Sequence, residues 1–107
     1  MVKVKLFRSR ELLRGFEISG HAGFAPAGED TVCAAVSSAA YLVANTLTDV
    51  MGVDAKTKVD EAEGYMLLEL SEEEALKGQQ LLKGFELHVR GLTEAHGKHI
   101  KVIYGGV

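Results

Sequence analysis

From Val32 to Val50 the chain is apolar at nearly every position of a helical repeat. Val32, Val36, Ala39, Val43, Leu47 and Val50 recur three or four residues apart, and Ala34, Ala35, Ala40, Leu42 and Ala44 fill positions off that stripe. A helix with so little polar surface needs cover on two flanks, from a sheet on one and from another helix or a second subunit on the other. A chain of 107 residues has material for one such core. Residues 1–107 are therefore expected to form a single domain. The run is not expected to cross a membrane, because Ser37, Ser38, Asn45 and Thr46 interrupt it. Asp30 stands where an N-cap would, and Gly52 is a natural C-terminal stop.

The rest of the chain supplies the covering layer. Val2, Val4 and Leu6 alternate with Lys3 and Lys5, the period of a half-buried strand, and the polar run 8–11 ends it. A second strand places Phe16 and Ile18 on one face and Glu17, Ser19 and His21 on the other, and the short connection predicts a hairpin. Residues 22–30 carry Gly23, Gly28 and the only proline, Pro26, without hydrophobic period, and read as a loop. After the first helix, Val53, Ala55, Thr57 and Val59 alternate with polar residues, and a turn over 61–64 leads into the apolar run 65–70, a second hairpin. Ser71 and Glu74 form a capping box for a second helix with the stripe Ala75, Gly78, Leu82, Phe85, Val89 and Leu92, closed by Gly97. Gly78, on that stripe, allows close approach of the first helix. Lys98 to Tyr104 is a last strand, with Ile100, Val102 and Tyr104 on one face. The order ββαββαβ predicts an α+β fold, a mostly antiparallel sheet with two helices packed on one face.

The chemistry concentrates between Gly20 and Ser38, in GHAGFAPAGEDTVCAAVSS. With Asp30 as N-cap, Cys33 is the third residue of the first helix. The unpaired NH groups and partial positive charge of a helix start favour a thiolate, and the same NH groups can hold an oxyanion after the sulfur attacks a carbonyl. His21, across the loop, is the histidine near in sequence that can take the thiol proton. Ser37 lies one turn after Cys33 and Tyr41 one turn further, on the same face. Ser37 can orient His21 or bind substrate backbone, Asp30 can orient His21 instead of capping, and Tyr41 can wall the site. A lone cysteine in VCAAV is equally read as a small buried hydrophobe, His21 as a strand-end residue, Ser37 as a small residue at a helix contact, and Gly23 and Gly28 as turn glycines.

Other classes fit less well. The 12 basic and 15 acidic residues give a net charge of −3 with no long run of either sign, which disfavours direct nucleic-acid binding. One cysteine permits no internal disulfide and suits a reducing cytoplasm, and the opening MVKVKLF is too short and too alternating for a signal peptide. No GK[ST] follows Gly28, so no phosphate loop is present and no cofactor is indicated. His88, His96 and His99 have no cysteine nearby and read as solvated surface, leaving no metal site.

At Gly20, His21 and Ala22, then Gly28 and Asp30, then Val32, Cys33, Ala34 and Ser37, the chain resembles the ribosomal-processing cysteine proteases called Prp. Their pattern is GHA, a loop ending in G-x-D, then V-C-A with a small hydroxyl residue one turn on. The element order is similar over the whole chain. The resemblance implies that Cys33 is nucleophile and His21 base. It also implies that the enzyme removes a short N-terminal extension from a large-subunit ribosomal protein precursor, cutting after an aromatic residue. A loop that rearranges around substrate and a homodimer are implied as well. The competing expectation is a non-catalytic module that binds a ribosomal protein or assembly factor, with Cys33 merely packed.

Overall fold

Alternation in the first nineteen residues produces the hairpin that centres the sheet. Strands β1 (Val2–Ser9) and β2 (Leu12–Ser19) pair antiparallel, Val4 opposite Ile18 and Leu6 opposite Phe16. Their inward side chains Val2, Val4, Leu6, Phe16 and Ile18 are buried. The computed structural model describes residues 1–20 and 29–106, with side chains from Thr31 onward in the second stretch. His21, Gly23, Gly28 and residues 22–28 of the expected 22–30 loop lie outside them.

Chain order continues with α1 (Glu29–Asn45), β3 (Lys56–Asp60), β4 (Tyr65–Glu69), α2 (Glu72–His96) and β5 (Ile100–Gly105). The expected ββαββαβ order and α+β class hold. The strands line up as β3-β4-β2-β1-β5, antiparallel throughout except where β5, returning after α2, lies parallel to β1. The inward residues of β1, β2, β4 and β5 form one buried cluster with those of α1 and α2, so both helices cover the same face. Phe16 of β2 and Phe85 of α2 meet at its centre, ring centroids 4.5 Å apart.

Local irregularities fix how these layers meet. Phe7 pairs with Gly15 but Arg8 with Leu13, so Arg14 is an extra residue in β2. The backbone groups displaced there find new partners. Gln79 of α2 accepts from the Leu13 N–H at 3.1 Å and donates to its carbonyl at 2.6 Å, while Leu70 N–H donates to Arg14 C=O at 2.8 Å. Gly15, at φ +140°, lies where a Cβ would be 1.9 Å from the Leu68 carbonyl oxygen, so no other residue fits.

Three expectations need correction. The first helix begins at Glu29, so Asp30 is its second residue, not its N-cap, and Cys33 its fifth, not its third. Helical backbone bonding reaches back into the stretch read as loop. The apolar helix continues beyond Asn45 as a π-helical turn, Thr46–Val50, and ends in Gly52 at φ +69° with Val53 N–H donating to Leu47 C=O at 2.8 Å. The expected stop therefore stands, but the continuous Thr31–Val50 is long and apolar enough to cross a membrane by length and composition, at mean hydropathy 1.3. Thr46 and Thr48 do not interrupt it, because their hydroxyls bond back to the preceding turn, Thr46 to Leu42 C=O at 2.7 Å and Thr48 to Ala44 C=O at 2.9 Å. In the fold Val32, Val36, Ala40, Val43 and Leu47 are buried, which accounts for the apolarity as core packing. The third strand starts at Lys56 and all five of its residues are exposed, since it is the edge strand of the sheet and a cavity, not packed side chains, lies between it and α1. Val53 is buried ahead of it, outside the sheet. The remaining stripe assignments stand: Leu92 packs against the core at its margin, and Tyr104, on the face of Ile100 and Val102 at the end of β5, is 41% exposed under the Arg8 guanidinium, 4.2 Å from its ring centroid.

Candidate active site

Cys33 occupies the first turns of α1 and is 3% exposed, packed into the core cluster. Four and eight residues on, Ser37 is partly buried and Tyr41 is 39% exposed, so one helix face runs from the thiol out toward solvent. That face borders a cavity of about 290 Å³. Ser37 and Tyr41 form its helix wall, Ile18, Val59 and Met66 its sheet wall, and Asp60, Glu61 and Gly64 from the β3–β4 hairpin its mouth. Register explains the sheet wall: Val59 pairs with Met66 and Met66 with Ile18, so the three stand in a row across β3, β4 and β2 on the helix-covered face. Ser37 and Tyr41 are thus brought together with hairpin residues that sequence reasoning did not select. The alternation of Val59 with Lys58 and Asp60 was the available signal, but nothing in it says which helix the strand will face.

Gly20 receives a structural reason for its place. It follows directly on β2 at φ +82°, and a Cβ there would be 2.3 Å from the carbonyl oxygen of Met1. Only glycine brings the strand end this close to the start of β1, directly before His21. The expected meeting of His21 with Cys33, the roles of Gly23 and Gly28, and the side chain of Asp30 lie outside the described residues.

Beside the hairpin, Tyr65, which also lines the cavity, donates its hydroxyl to Glu17 at 2.6 Å. That hydrogen bond to a carboxylate, with burial and the Glu17 charge adding to it, pushes the Tyr65 hydroxyl up to about 12. The bond pins β4 to β2 next to the cavity. A second hollow, about 550 Å³, separates the outer surfaces of the two helices, with Ala35, Ala39, Leu42, Leu81, Gly84 and His88 among its lining. Leu42 there is 67% exposed. Among the described residues no three histidine, cysteine or acidic side chains gather as a metal-holding group.

The family model for cysteine protease Prp matches residues 1–101. The ribosomal processing cysteine protease Prp of Bacillus subtilis is 27% identical over 107 residues, 95% of this chain and 96% of the relative. A crystal structure from Streptococcus mutans superposes with a TM-score of 0.87 at 28% identity, covering 100% of this chain and 96% of that one. The essential ribosomal processing protease Prp of Staphylococcus aureus, solved with a substrate peptide, gives 0.90 at 18% identity, covering 98% of this chain and 100% of the other, and shares the fold. With a match of that extent laid over a cysteine at the start of the central helix, the chain belongs to the Prp family of cysteine proteases.

Proposed function

We propose that the chain is an endopeptidase that removes an N-terminal extension from a large-subunit ribosomal protein precursor, with Cys33 as nucleophile and His21 as base. The observation that carries this reading is the position of Cys33 in the first turns of α1, on the face that leads through Ser37 to an open cavity. The family supports the reaction class, and the ribosomal processing proteases of B. subtilis and S. aureus support ribosomal processing. His21 takes the thiol proton and the sulfur attacks the scissile carbonyl carbon. Helix-start NH groups hold the resulting oxyanion. The tetrahedral intermediate expels the new amine, protonated by His21, and water then hydrolyses the thioester, returning the thiol. Cys33 as a residue is only 3% exposed, so in this reading its surroundings shift when substrate binds.

In this reading residues 1–107 act as one domain in the cytoplasm without a cofactor, recognising protein rather than nucleic acid. The catalytic unit is a homodimer, and the apolar hollow between α1 and α2 is the surface that supports pairing. A peptide spanning the junction of the extension is cut once by the native protein, and Cys33→Ala and His21→Ala abolish the cut. Undiminished cutting by Cys33→Ala would overturn the mechanism. The burial of Cys33 favours a second reading, a module that binds the precursor without cutting it. That reading requires the native protein to bind the peptide and leave it intact, and Cys33 to resist iodoacetamide with peptide present.

A further inference from the structure

Of the two strands at the margins of the sheet, β3 borders the cavity already described and β5 does not. The backbone of β5 is open on its outer side. Val2 N–H donates to His99 C=O at 2.9 Å, and the parallel pairing of β1 with β5 runs in unbroken register from Val2 opposite Ile100 to Phe7 opposite Gly105. The N–H and C=O of one strand residue point the same way, and successive residues alternate. Those of Lys101, Ile103 and Gly105 therefore turn toward β1, and those of Ile100, Val102 and Tyr104 turn outward. Among the described residues no strand pairs with that side. The strand has neither the proline nor the bulge that blunts an edge, only the exposed Lys101.

Positive charge gathers at this edge in a chain whose net charge is −3. On the face that the helices leave uncovered, Lys101 stands directly opposite Lys3. Lys5 reaches over β5 from the same face, since a Cβ on Gly105 would collide with its Cε and lie 3.2 Å from its Nζ. On the helix side a hollow of about 470 Å³ opens between β5 and α2, lined by Arg8, Arg90, Thr93, Glu94, Val102 and Tyr104. Glu86 beside it is already engaged, accepting from the Tyr104 hydroxyl at 2.6 Å and pairing with Arg8 at 3.4 Å. Among the described residues Lys3, Lys5, Arg90 and Lys101 have no carboxylate within ion-pair distance. Like charges directly opposite on neighbouring strands destabilise a sheet, so holding this fold together does not account for Lys3 against Lys101.

We infer that β5 is a docking edge for an acidic, extended segment of a protein partner, which adds to the five-stranded sheet as one more strand. Its backbone pairs with Ile100, Val102 and Tyr104. Its side chains alternate between the two faces. Carboxylates on the uncovered face form cross-strand charge pairs with Lys101 and Lys5, and side chains on the helix side enter the hollow beside Arg90 and the Tyr104 ring. A second copy of the chain is the wrong occupant, because its β5 would bring the same cations against the first set. The inference goes beyond the protease reading and uses no part of it, so its test does not depend on cleavage.

The probe is a short synthetic peptide that alternates glutamate with valine. It is compared with the same peptide carrying lysine for glutamate, and with one of identical composition whose glutamates are grouped at one end. Binding to the native protein is followed by NMR amide shifts and hydrogen exchange. The alternating acidic peptide should shift the amides of Ile100, Val102 and Tyr104, slow their exchange, and bind about tenfold more tightly than either comparison peptide. Lys101→Glu, at an exposed position, should reverse the order of the acidic and lysine peptides. Val102→Pro removes one outward N–H, which an edge strand tolerates, and should abolish binding with the far-UV circular dichroism retained. Lys101→Glu reads the charge alone and does not require the proline variant to fold. Equal binding of the alternating and grouped peptides, shifts confined to other strands, or no binding at ~1 mM peptide overturns the docking edge. Slowed exchange in β5 that grows with protein concentration in the absence of peptide would identify a second copy as the occupant and overturn it too.

Discussion

Gly78 and Gly91, both on α2, answer oppositely to one added methyl group. A Cβ at Gly78 would be 2.7 Å from the Cδ2 of Leu47, a side chain with no exposed surface, whereas at Gly91 it would meet nothing within 4 Å. Overpacking a filled core costs about 1–3 kcal/mol, while replacing a helical glycine by alanine returns about 1 kcal/mol. Gly91→Ala should therefore stabilise the protein by about 0.5–1 kcal/mol in urea unfolding, and Gly78→Ala should give no gain or a loss of about 1 kcal/mol. Tyr65 offers a pH signature. Its hydroxyl donates to Glu17 only while protonated, and its folded value of about 12 exceeds the ordinary value near 10. The bond's contribution is thus complete below pH ~10 and is lost as pH rises through about 12. Tyrosinate absorbance should show a component near pH 12 that disappears in Tyr65→Phe. Single residues also mark what was legible in the sequence. Cys33, Ser37 and Tyr41 share a face because helical spacing is fixed by geometry, but Val59 and Met66 join them only through strand register, which no local spacing encodes.

At the scale of elements, α2 is held at its start by the Ser71 hydroxyl, which accepts from the Glu74 N–H at 3.2 Å. Ser71→Ala should lower stability by about 1 kcal/mol in thermal or urea unfolding. The reciprocal half of the expected capping box is replaced by other contacts. The Glu74 carboxylate takes the Lys77 ammonium at 2.8 Å and the Asp54 N–H at 2.8 Å, and these partners, Lys77 first, lower its pKa. One side chain thereby ties the segment before β3 to α2. The long helices were legible because a 3.6-residue period persists over many turns. The start of α1 was not, because Asp30 has cap chemistry whether it stands before a helix or inside its first turn. The exposure of β3 escaped for a related reason. Alternation indicates a strand with two faces, and whether a layer lies over one of them depends on how far the helices extend.

At the scale of the whole molecule, one five-stranded sheet carries both helices on one face and leaves the apolar hollow between them open to solvent. If the hollow joins two copies, Leu42→Glu should shift the protein from dimer to monomer in analytical ultracentrifugation while the far-UV circular dichroism is retained. A monomeric native protein would remove that assignment. The class was legible from element order, but the sheet order was not. The pairing of β1 with β5 joins strands from opposite ends of the chain, and a strand's own residues do not specify whether its neighbour runs parallel. The close passage of Gly20 under the Met1 carbonyl bears on how the enzyme can be handled. Any peptide fused ahead of Met1 emerges beside Gly20, so on the proposed reading, with His21 as base, a tag placed there should slow cleavage of the junction peptide relative to untagged protein. A tag fused after Val107 follows β5, the strand at the opposite edge of the sheet from the hairpin that borders the cavity.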